Sequence, residues 1–141
     1  MSDFLAFQIK QQDTDVIHLG ITGHTHLIHA ITSISVSKQT LLELQEEIKD
    51  FLSEQNLEVY WESDIPGLGA TPCITLRLIP GSTPQEVLAE FYMELDDGTD
   101  FSRHTCCFYV HTTRPLLRNF SRSIPSLAES NSGEQLTLFG V

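Results

Sequence analysis

Three histidines lie close together in the first third of the chain, with His24, His26 and His29 in the spacing H-x-H-x-x-H. Imidazole is the commonest protein ligand for zinc and its neighbours, so such a cluster would serve metal binding or metal-assisted hydrolysis. A second group pairs thiols with imidazoles, Cys106 and Cys107 following His104 and preceding His111. An imidazole within reach of a thiol can generate the thiolate that attacks a carbonyl. Gly67-Leu68-Gly69-Ala70 has the glycines that phosphate-cradling turns use, and Asp96, Asp97 and Asp100 could surround a cation. Arg114, Arg118 and Arg122 recur at four-residue intervals, which on a helix sets three cations along one stripe.

The histidine cluster resembles the H-x-H-x-D-H motif of dinuclear hydrolases of the metallo-β-lactamase type. The resemblance ends at the histidines: Ile28 stands in the place of the motif's aspartate, no convincing further ligands follow, and the chain is shorter than that family needs. On an extended strand His24 and His26 share a side and His29 faces the other, so a common metal requires a bend. The histidines are read as solvent-facing or hydrogen-bonded, and no metal or other cofactor is assigned. Cys106 shares the core side of a strand with Phe108, while Cys107 joins Tyr109 and His111 opposite; a cysteine buried as a small apolar residue accounts for the first. The glycine loop lacks the third glycine, Lys or Ser/Thr that nucleotide loops require. Asp96-Asp97-Gly98 fits a hairpin turn, because Asp and Gly tolerate positive φ. No catalytic residue is assigned, and the chain is read as non-enzymatic.

The elements that carry these residues follow from hydrophobic period. Leu5, Phe7 and Ile9 alternate with polar or small residues, and Ile17, Leu19 and Ile21 do so again after a polar turn, which predicts a β-hairpin. A third extended stretch, from about Thr25 to Val36, is rich in β-branched residues. From Ser37 the period becomes helical: Leu41, Leu44, Ile48, Phe51 and Leu52 form one face, and Glu43, Glu46, Glu47, Asp50 and Glu54 form an acidic outer face. Either Ser37 or Thr40 can cap this helix. Strands are expected at Leu57 to Trp61, around Ile74 to Leu78, from Val87 to Leu95, and through Cys106, Phe108 and Val110. Thr113-Arg114-Pro115 suits a helix start, Leu117, Phe120 and Ile124 give that helix an apolar stripe, and Pro125 is expected to end it. No internal repeat is visible.

The chain's 141 residues, 40% hydrophobic and 19% charged, suit one ordinary globular domain. Nineteen acidic against eight basic side chains leave a formal charge of −11. That balance repels phosphate backbones, so autonomous nucleic-acid binding is not expected. Three cysteines, two of them adjacent, suit reduced thiols. With neither a secretory leader nor a membrane-length apolar run, the protein is read as cytoplasmic. The expected architecture is α+β: a mainly antiparallel curved sheet of six or seven strands, the long amphipathic helix on one face, and a shorter C-terminal helix. Residues 1–125 form that domain, 126–134 a polar linker, and 135–141 a C-terminal apolar peptide.

That peptide, Gln135-Leu136-Thr137-Leu138-Phe139, resembles the Q-L-[S/D]-L-F pentapeptide by which bacterial polymerases and repair proteins dock onto the β sliding clamp. The resemblance implies that Gln135 hydrogen-bonds at a groove entrance while Leu136, Leu138 and Phe139 fill apolar pockets. It covers five residues and leaves the preceding 130 without a family. The alternative for the same peptide is a last strand added to a sheet edge. The function expected is a non-enzymatic binding or adaptor protein tethered to a replication clamp, with Arg114, Arg118 and Arg122 either a solvated stripe or a secondary contact. The alternative is an acidic, immunity-like protein that shelters a basic partner against Glu43, Glu47, Asp50 and Glu54. A third reading is a small metal-dependent hydrolase built on the histidine cluster.

Overall fold

The computed structural model describes residues 3–63, 73–95, 104–130 and 133–141. Three antiparallel strands come first, β1 (Phe4–Gln12), β2 (Val16–His24) and β3 (His29–Ser37), followed by helix α1 (Lys38–Leu52) and strand β4 (Val59–Glu62). A second meander follows, β5 (Ile74–Pro80), β6 (Glu86–Leu95) and β7 (His104–Thr113), then helix α2 (Arg114–Glu129) and strand β8 (Gln135–Phe139). The strands form two four-stranded antiparallel sheets, ordered β3-β2-β1-β8 and β4-β5-β6-β7. This corrects the expectation of one sheet of six or seven strands. Strand alternation fixes which side of each strand is apolar, but not which sheet a strand joins after a helical crossover.

The order of elements repeats although the sequence shows no repeat. Each half runs through a meander, a helix and one more strand, and that last strand crosses to border the first strand of the other half: β4 lies beside β5, and β8 lies beside β1. The helices correspond in detail. Each is N-capped by the last residue of its meander, with Ser37 Oγ accepting from Thr40 N and Thr113 Oγ1 from Leu116 N. Each buries an apolar stripe of the same spacing, Leu41, Leu44, Ile48 and Phe51 in α1 and Leu117, Phe120, Ile124 and Leu127 in α2. Each begins with a cation that reaches the far end of the other helix: Arg114 donates to the Phe51 and Leu52 carbonyls, and Lys38 pairs with Glu129. Arg114 thus bonds carbonyls of the last turn of α1 and Lys38 a carboxylate at the end of α2, and a cation at either C-terminus complements the helix dipole.

The inner faces of both sheets and both helical stripes form one apolar core. Gly23 lets β2 lie directly against the Phe108 ring of β7, since a Cβ there would be 1.8 Å from that ring. Pro125 does not end α2. The helix runs on to Glu129 with Leu127 and Ala128 buried, and that burial offsets the hydrogen bond proline cannot donate. Ser126 to Glu129 are therefore helix rather than linker. Among the described residues, no helix is long and apolar enough to cross a membrane.

Candidate functional site: the open face of the first sheet

The second side of the sheet β3-β2-β1-β8 is covered by no other element among the described residues, and its residues follow from register. Phe139, Phe4, His24 and His29 are successive cross-strand neighbours in one row. Thr137, Ala6, Thr22 and Ile31 form the next, and Gln135, Gln8, Gly20 and Ser33 the third. None of these twelve positions holds a carboxylate, a lysine or an arginine, in a chain whose acidic groups far outnumber its basic ones. The outer face of the second sheet differs. There Arg77 pairs with Glu58 at 2.9 Å and Tyr109 donates to Glu90 at 3.0 Å.

Small residues give the face a floor. Ala6, Gly20 and Thr22 lie at the base of a depression of about 350 Å³ rimmed by Phe4, Gln8, Lys10, Ile31 and Gln135. The Lys10 stem lies across Gly20, whose added Cβ would meet Lys10 Cε at 2.6 Å. The aromatic row is ordered by contact: Phe4 stacks on His24 with centroids 5.3 Å apart, and His24 meets His29 edge-on at 5.4 Å. Ile31 and Phe139, on the two edge strands, remain 63% and 52% exposed on this side of the sheet.

The structure divides the sequence-predicted residues. Leu136 and Leu138 are buried opposite Phe7 and Leu5 in the β1·β8 ladder. Gln135 and Phe139 point to the open side and are exposed. The four residues of the clamp-like peptide thus face two ways, and its two leucines already serve the core. Beyond the ladder, Gly140 N donates to Asp3 O at 2.7 Å and Val141 N to His111 O at 2.8 Å, so the segment is held to its last residue. Arg114 is committed to the α1 C-terminus and lies over the Phe51 ring, whereas Arg118 and Arg122 are exposed.

His26 is exposed in the β2–β3 turn and does not join His24; the turn instead brings His24 and His29 together across the ladder. Among the described residues, no three His, Cys, Asp or Glu side chains are arranged to hold a metal. Burial pushes the Cys106 thiol up, and burial, Glu90 and Cys106 do the same for Cys107. Both therefore stay protonated, opposite to what an activated nucleophile needs. On α1, burial pushes the Glu47 carboxyl up, and the charges of Glu43 and Asp50 add to it. The glycine loop at Gly67 to Ala70 and the Asp96, Asp97 and Asp100 cluster lie outside the described residues. Sequence reasoning missed the open face. Its signal was two apolar residues out of phase with the buried set: Phe4 against Leu5 and Phe7, and Ile31 against Ala30, Thr32 and Ile34.

No family model matches the chain, and neither does any curated protein or solved structure.

Proposed function

We propose that the chain is a non-enzymatic adaptor that receives a protein partner on the open face of its first sheet. The reading is carried by the contrast between these three rows, which hold no carboxylate, lysine or arginine and leave Ile31 exposed at the rim of a small-residue floor and Phe139 exposed at one end of the aromatic row, and the charged outer face of the other sheet. An exposed apolar patch rimmed by polar groups is how docking surfaces differ from ordinary surface. Affinity capture from source cells with tagged full-length protein, set against Ile31→Glu and Phe139→Glu, tests it. A partner retained by the parent and by Arg118→Glu but reduced about thirtyfold by either face variant supports the reading, that being the effect of a hot-spot loss of about 2 kcal/mol. Equal recovery by all four proteins rejects it.

The acidic face of α1 supports the second reading, a basic partner. Glu47 is crowded by Glu43 and Asp50, and a cation placed there relieves their repulsion. Such a complex dissociates with salt and with Glu43→Lys, and is indifferent to Ile31→Glu. Clamp docking through Gln135, Leu136, Leu138 and Phe139 rests on the pentapeptide resemblance alone and requires β8 to leave β1. Clamp binding by the full chain that is lost on deletion of residues 135–141 would support it, and no binding by the full chain ends it.

A further inference from the structure

We infer that His24 and His29 form a two-imidazole site for one divalent transition ion of the zinc class. The two residues are the last of β2 and the first of β3 and face each other directly in the ladder. Their Nδ1 atoms are 3.2 Å apart and share a hydrogen bond. Two nitrogens bound to a single tetrahedral zinc, each at about 2.0–2.1 Å, sit about 3.3 Å from one another. The metal-free protein thus already holds the pair at the separation a chelated ion requires.

The His24 ring is held by a neighbour rather than by the ion. Phe4 lies nearly parallel to the His24 ring, 22° from coplanar, and restricts its rotation. The turn between the strands is braced from within: Thr25 N donates to Ile28 O at 2.7 Å, and Thr25 Oγ1 accepts from Leu27 N and Ile28 N at 3.2 and 3.1 Å. A fixed turn fixes the register and so the histidine pair. One imidazole donates its Nδ1 proton to the other in the metal-free state. Binding requires that this donor carry its proton on Nε2 instead and that the rings turn, so that the two Nδ1 lone pairs leave the N···N line of the hydrogen bond and converge on the ion. His29 is exposed, so the remaining coordination positions face water. The site lies at the end of the aromatic row but does not depend on what covers the sheet face.

Zn²⁺ alone is titrated into the full chain by calorimetry, with Co²⁺ absorption as a second probe and circular dichroism to confirm that every variant is folded. The expected result is one ion per chain, a cobalt spectrum in the visible range, and affinity lowered on the order of tenfold or more by either His24→Gln or His29→Gln, because a chelate loses its second, effectively intramolecular ligand. His26→Gln leaves affinity unchanged. The absence of saturable binding would overturn the inference, as would an affinity left unchanged by loss of His24 or of His29. Loss of binding in His26→Gln overturns the two-ligand form.

Discussion

Replacing Leu138 by alanine separates a strand from a tail. Leu138 is fully buried and lies opposite Leu5 in the β1·β8 ladder, whereas Phe139, the next residue, is half exposed on the other side. Removing a buried leucine side chain forfeits its transfer free energy and leaves a cavity, about 2–5 kcal/mol in all. Set against the roughly 5–15 kcal/mol that hold a domain of this kind together, that is a large fraction. Phe139→Ala removes a residue that is about half in water and leaves no enclosed cavity, and should cost about 1 kcal/mol or less. Urea unfolding followed by the fluorescence of Trp61 reads the difference. That indole is buried, donates to Thr40 O at 2.9 Å, and lies with its centroid 6.3 Å from that of Phe7. With a slope of about 2 kcal/mol per molar, Leu138→Ala lowers the midpoint by roughly 1–2.5 M and Phe139→Ala by at most about 0.5 M. A loss below about 1 kcal/mol for Leu138→Ala, or a larger loss for Phe139→Ala, refutes the strand and returns both side chains to an unattached peptide.

Two further outcomes are expected. Arg114→Ala should cost about 1.5–3 kcal/mol by uncapping the α1 carbonyls it bonds, while Arg118→Ala stays within about 0.5 kcal/mol, both measured by thermal unfolding. Glu47 carries a carboxyl raised in the folded state, chiefly by burial, so the native protein holds the proton more tightly than the unfolded chain and stability falls as pH rises through that raised value. Glu47→Gln therefore stabilises the protein at neutral pH, and the gain fades as pH drops toward the ordinary glutamate range; a gain that grows on acidification would contradict the assigned cause.

What the sequence made legible was local. The alternation of Leu5, Phe7 and Ile9 with their neighbours, the helical spacing of Leu41 to Phe51, and the Thr113-Arg114-Pro115 start each record which side of an element is buried, and the structure has each element where that pattern lies. The division into two sheets was not legible, because it depends on β4 and β8 pairing far along the chain, and Leu136 and Leu138 look the same whether they enter their own core or another protein's groove. Pro125 misled because proline's cost is local, while the burial of Leu127 and Ala128 that outweighs it is tertiary. The histidines show the same limit. Strand parity set His24 with His26, but the turn at Thr25 makes His29 its true neighbour.

Because each half lends its final strand to the other, the order in which the chain is synthesised matters. β1 leaves the ribosome well before its border strand, which is translated only after the whole second meander and α2. At about 5–20 residues per second, that interval is roughly 6–25 s, during which the nascent first sheet exposes a row of unpaired amides and carbonyls where β8 will lie. A translational pause anywhere between β3 and β8 lengthens that exposure, so synonymous codon choice there should affect the yield of soluble protein.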